Sequence, residues 1–137
     1  MSLHNKSIQL KIEKAKALMG EVDLLLENKF YTTAVSRIYY SCFHADTALL
    51  LIKGFAPKTH SGVVAMLGLH FVNPGIFDKK YSAFFSNLMQ ERMDDDYSDF
   101  LIIDFEEIEE FVEPGKAFLH YTLTLVESEL SKGMMDT

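Results

Sequence analysis

The sequence predicts an all-α protein, an up-and-down helical bundle of four long helices plus one short helix. Two observations carry that expectation. Apolar residues recur at helical spacing along most of the chain, and no run alternates with the period of two that a strand requires. A chain of 137 residues with 48% hydrophobic content is long enough to bury a core without staples. It reads as one domain over 1–132, followed by a disordered tail over 133–137.

The first helix is expected from Ile8 to Leu26, with Ile8, Ile12, Ala15, Leu18, Met19, Val22, Leu25 and Leu26 on its inner side. Asn28-Lys29 marks a short connection. The stretch Tyr31–Gly54 is the centre of the pattern. Ala34, Ile38, Cys42, Ala45, Leu49 and Ile52 form one apolar stripe, and Val35, Tyr39, Phe43 and Leu50 extend it. A helix apolar over most of its circumference is packed by neighbours on several sides. Its remaining side carries Arg37, Tyr40 and His44, and unpaired buried polar groups are costly.

Gly54 ends that helix in the C-terminal glycine role. Thr59 is an N-cap for a short helix reaching His70 or Phe71, and Asn73-Pro74-Gly75 is a turn signal. A fourth helix runs from Asp78 to Asp95, with Tyr81, Phe84, Phe85, Leu88 and Met89 inside. Asp94-Asp95-Asp96 should end it, because negative charge is disfavoured at a helix C-terminus. Asp104 and Glu107 have the spacing of a capping box that opens the last helix, which continues to Leu130. Pro114-Gly115 either kinks that helix or divides it.

Composition excludes several classes of function. Cys42, alone of its type, rules out an internal disulfide or a Cys-rich zinc site and suits a reducing compartment. No apolar run reaches the ~18 residues of a membrane span, and no signal-like segment opens the chain, so a cytoplasmic protein is expected. The net charge of −7 is uneven: residues 1–60 hold eight basic against five acidic side chains, and residues 61–137 hold five against fifteen. Such acidity disfavours general wrapping of nucleic acid and restricts any RNA contact to a local site. No cofactor motif is present. The triple aspartate cannot converge on one ion while helical, since successive residues point ~100° apart, so no metal is expected.

Two polar constellations remain. Arg37, Tyr40 and His44 stand at i, i+3 and i+7 on one helix face. Gln90-Glu91-Arg92 leads into Asp94-Asp95-Asp96-Tyr97, where Arg92 and Asp96 have the spacing of an internal salt bridge. Residues 34–45, AVSRIYYSCFHA, resemble the SRxYYAxFHA helix of HEPN-domain proteins. Residues 58–63, KTHSGV, resemble that family's sHsGv helix opening, and residues 92–97, RMDDDY, resemble its RxxxDY element. The three blocks stand in the family's order and cover Tyr31 to Tyr97.

The resemblance implies a homodimer, often paired with a small nucleotidyltransferase in a toxin–antitoxin-like system. It also implies, for many members, metal-independent ribonuclease activity from an Arg followed four to six residues later by His. In such a site His moves a proton and Arg stabilises phosphorane charge. This chain departs there: no His follows Arg92, and Tyr97, whose reference pKa is ~10, is a poor base near neutrality. Arg37 and His44 have a similar spacing but stand on a different helix from the family's motif.

The expected function is therefore a homodimeric binding or regulatory module with nucleotide or RNA as ligand and a nucleotidyltransferase-type partner. Arg37, Tyr40, His44, Arg92, Asp96 and Tyr97 form the binding set. The enzyme alternative is a ribonuclease with a degenerate motif, using Arg92 with His44 or Tyr97 as proton carrier. A third reading makes these residues a structural network.

Overall fold

The computed structural model describes the backbone of residues 3–97 and 104–135, and the side chains of residues 4–91 and 104–132. Within these limits the protein is helical and contains no strand. The elements are α1 (Leu3–Gly20), α2 (Val22–Glu27), α3 (Tyr31–Ile52), α4 (His60–Leu67), a π-helical turn (Gly68–Val72), α5 (Lys79–Tyr97) and α6 (Phe105–Met135).

The expected first helix is two pieces. Gly20 lowers helix propensity, and Glu21 sits in the joint, its N–H bonded to the Leu18 carbonyl at 3.2 Å. Lys29 then adopts a left-handed φ of 61°. Bonds from Lys29 N to Leu26 O and from Phe30 N to Leu25 O close the end of α2 in a Schellman pattern. Gly54 does the same for α3 with φ 83° and a bond to Leu51 O.

Thr59 caps α4, its hydroxyl accepting the Gly62 N–H at 2.9 Å. The helix beyond Leu67 widens into the π-turn, closed by Asn73 N to Gly68 O at 2.8 Å. This irregular turn buries Phe71 and leaves Leu69 exposed. Asp78 opens α5 by accepting the Lys80 N–H. The helix runs through Asp94–Asp96 and is bounded at Tyr97, one residue past the triple aspartate that is expected to stop it nearby. Asp104 accepts the Glu107 N–H at 2.9 Å and opens α6, as its spacing predicts. Pro114 does not divide α6, which is one helix to Met135 and so covers the start of the segment expected as a tail.

The bundle closes around α3. Ala34, Ile38, Tyr39, Cys42, Ala45, Ala48, Leu49 and Leu50 are all fully buried. Ser41 donates to the Ala15 carbonyl at 2.7 Å, which sets α1 antiparallel to α3 together with the Arg37–Glu21 pair. On the other side α6 runs parallel to α3. Tyr31 meets Phe105 at 5.9 Å, and further along both helices the Gly115 backbone comes so close to Ile38 that no side chain fits between them. Tyr81 stacks on Tyr121 at 4.1 Å and Phe84 meets Phe111, so α5 and α6 are antiparallel. The long helices thus alternate up and down, with α4 and the π-turn bridging α3 to α5.

A Cβ at position 115 would lie 2.6 Å from Ile38 Cγ2. Gly115→Ala is therefore expected to lower stability by about 1–3 kcal/mol through overpacking. A change in an open helix position would instead raise it by about 1 kcal/mol. Urea unfolding distinguishes the two signs, and a gain would show that α6 does not press on α3.

Candidate functional site

The polar side of α3 is the part of that helix the other helices leave half-open: Arg37, Tyr40, His44, Thr47 and Leu51 are all partly exposed. The groups on it do not converge. Arg37 turns toward the α1–α2 joint, where its Nε donates to Glu21 Oε2 at 2.7 Å. The two side chains keep 40% and 52% of their surface in solvent, so this is a surface ion pair. His44 faces α1. Burial, then the charges of Lys11 and Lys14, lower its pKa from the ordinary imidazole value of 6.5. Its Nδ1 is buried and has no hydrogen-bond partner. A lowered folded pKa favours the neutral ring, and the stability tied to that form is full above pH 6.5 and is lost as pH falls.

Tyr40 turns the other way and joins an aromatic group at the start of α4. Its ring meets Tyr39 at 5.2 Å and His60 at 6.2 Å, both edge to face. His60 stacks on Phe43 at 4.6 Å, and its Nδ1 shares a hydrogen bond with the Tyr39 hydroxyl. The Tyr39 ring stacks on Phe85 of α5, and Phe85 stacks on Phe118 of α6. A buried tyrosine hydroxyl needs a partner, and His60 supplies it across the α3–α4 contact. Sequence reasoning assigned His60 only to a helix opening. The signal was its place within KTHSGV, opposite the tyrosine pair.

The second constellation lies near the far end of α5. Arg92, Asp96 and Tyr97 share the helix backbone through Tyr97, and their side chains lie outside the described residues, so the expected Arg92–Asp96 bridge does too. An open cleft of about 440 Å³ between α5 and α6 is lined by Phe84, Asn87, Gln90, Glu91, Glu110 and Phe111, its α5 side ending at the residue before Arg92. Pro114 has no N–H to offer the Glu110 carbonyl, which leaves that oxygen without its usual helical donor beside the cleft. Two carboxylates make the cleft wall acidic. His44 and Arg37 are not among the cleft-lining residues.

Deeper in the bundle, Asp46 is fully buried, and neither carboxylate oxygen has a partner among the described residues. Burial holds its pKa well above the ordinary carboxylate value, which favours the neutral acid in the folded form. Thr122, also buried, has an unpartnered hydroxyl. Asp46 is two turns beyond Ile38 and Thr122 two turns beyond Gly115, so the parallel helices carry both at one level. Cys42, one turn before Asp46, points its thiol at the Gly115 carbonyl at 3.9 Å, and burial pushes its pKa up. Such a thiol is a packing element, not a nucleophile. Among the described residues no three acidic, His or Cys side chains gather as metal ligands, and no helix is long and apolar enough to cross a membrane.

An antiparallel α-bundle with its SRxYY helix at the centre and its HSG segment docked on it defines a class. The HEPN domain family model matches residues 8–125. This chain belongs to the HEPN domain family. It is 41% identical over 93 residues, 68% of this chain and 69% of the relative, to a Methanocaldococcus jannaschii protein named "Putative toxin MJ0605". A second protein of that organism, "Putative toxin MJ0142", is 34% identical across 97% of this chain and 91% of its own length. A "UPF0332 protein" of Thermotoga maritima is 31% identical across 93% of this chain and 96% of its own.

The solvent around Arg37 decides what its ion pair contributes. Arg37→Ala should cost less than about 1 kcal/mol, the range for exposed pairs. A loss of about 3 kcal/mol or more in thermal or urea unfolding would instead mark Arg37 as part of a buried network.

Proposed function

We propose that this protein is the toxin-type HEPN module of a toxin–antitoxin-like pair, a homodimeric binding or regulatory unit. Its ligand class is nucleotide or RNA, and its partner is a nucleotidyltransferase-type protein. Family membership and the names of the two Methanocaldococcus jannaschii relatives support the toxin part of this reading. The choice of binding over catalysis rests on one observation. The α3 imidazole that could carry a proton faces Lys11 and Lys14 of α1, whereas α5, which bears Arg92, packs on another side of α3 through Phe85 and Tyr39.

A ribonuclease needs proton transfer within hydrogen-bond reach of the ribose or the leaving oxygen. With His44 turned to α1, Arg92 is left to hold phosphate charge, with Asp96 and Tyr97 beside it on the same helix. The glutamates of the neighbouring cleft limit that contact to a few phosphates, as does the acidity of residues 61–137.

Purified protein and Arg92→Ala, each at micromolar concentration with end-labelled structured RNA in EDTA, test the reading. Both should leave the RNA intact, and Arg92→Ala should bind it more weakly. Metal-independent cleavage that disappears in Arg92→Ala would make the protein a nuclease and overturn the proposal.

A further inference from the structure

We propose that the seam between α1 and the half-open stripe of α3 is an anion site, in which Lys11, Lys14 and the His44 imidazole receive a phosphoryl group. The proposal rests on phosphate-bearing ligands as the class named above, and it places a contact where the HEPN resemblance assigns none.

The register comes first. The Ser41–Ala15 hydrogen bond and the Arg37–Glu21 pair align two antiparallel helices. One turn further along α3 and one turn back along α1, His44 comes level with Lys11. Lys14 stands at i+3 from Lys11, on the same face of α1. Both ammonium groups act electrostatically on the His44 ring.

Charge matching comes second. Three cations of the bundle have carboxylates, Arg37 with Glu21, Lys116 with Asp23 and Glu113, and Lys132 with Glu129, and its other described lysines are in no ion pair. Among the described residues Lys11 and Lys14 have no such partner, in a chain of net charge −7. Two ammonium groups without a counter-charge repel one another and disfavour the charged ring, and a bound anion would relieve both effects.

The third point is the ring itself. Its Nδ1 is enclosed and unpartnered, which leaves Nε2 as the ring nitrogen that can meet a ligand, a donor whenever it carries a proton. An Nε2–H beside two ammonium groups is a donor set for a phosphoryl oxygen. Of the other charged groups on these two helices, Glu13 of α1 is exposed and Asp46 of α3 is fully buried. Glu21 at the α1–α2 joint is held by Arg37, and His60 of α4 lies against Phe43 and the Tyr39 hydroxyl. An anion at the seam would stabilise the protonated ring, so binding and proton uptake are linked.

The test follows the His44 ring resonances by NMR from pH 4.5 to 8, in chloride and then with a phosphate-bearing probe at the same ionic strength. Inorganic phosphate, adenosine triphosphate and a single-stranded oligoribonucleotide are the three probes. The titration midpoint of His44 should move upward with at least one of them. The Lys11→Gln/Lys14→Gln double variant, altered only at helix-surface positions, should raise the midpoint without probe and weaken binding by about tenfold or more.

Movement with inorganic phosphate assigns the site to a single phosphoryl group. Movement only with nucleotide or RNA, lost in the double variant, assigns it to that larger ligand. No movement with any probe overturns the proposal, and so does an equal shift in the double variant. Arg92→Ala separates this site from the function proposed above. A His44 shift that survives Arg92→Ala belongs to the α1–α3 seam, whereas one lost in Arg92→Ala and kept in the lysine variant refutes it.

Discussion

The close contact between Gly115 and Ile38 is the constraint on which the rest of the structure depends. It lets the α6 backbone lie directly on α3, and parallel contact follows from there to Thr122. With α6 on one side and α1 on another, α3 retains a single half-open stripe. The remainder is sealed tightly enough to enclose a thiol, a hydroxyl and a carboxyl. A carboxyl so enclosed cannot keep its charge without a partner, and none is present among the described residues. Burial therefore favours a neutral Asp46 in the bundle core.

That partition shapes the functional reading. Groups on α3 that can meet a ligand are confined to the stripe beside α1 and α4. Arg92 belongs to α5, which approaches α3 elsewhere, through the Tyr39–Phe85 stack. On the function proposed above, the α3 stripe and Arg92 act as two polar regions and not as one assembled catalytic centre. Such an arrangement suits recognition of an extended ligand better than acid–base chemistry at one phosphate.

Much of the fold was legible in the sequence because short-range chemistry sets it. Thr59 and Asp104 cap the helices their spacing predicts, Gly54 terminates α3 in the left-handed region, and the periodic stripe from Ala34 to Leu49 is the buried one. The triple aspartate is poor helix material, and α5 is bounded at Tyr97, one residue past it. Local chemistry left other points open or incomplete. Pro114-Gly115 could kink or divide the last helix, and Gly115 is the close-approach point at which α6 lies on α3 as a single helix. The site was less legible still. Helical spacing places Arg37, Tyr40 and His44 on one face, but it does not reveal that Glu21 draws the first to the α1–α2 joint. Nor does it show that His60 draws the second toward α4. Those partners come from other helices, and only the packed bundle brings them near.

The enclosed carboxyl gives the most direct measurement of the central claim, the difference in unfolding free energy between wild type and Asp46→Asn as a function of pH. Asp46 has its folded pKa raised above the unfolded value, so below about pH 4 both states hold the proton and the acid costs nothing. Above that, the unfolded chain ionises while the folded one does not. Wild type should then lose about 1.4 kcal/mol relative to Asp46→Asn per pH unit, until the folded pKa is reached. A difference that stays flat from pH 4 to 8 would contradict the account. It would mean that Asp46 ionises in the folded state as it does in the unfolded one, and that the α3–α6 seam is not closed.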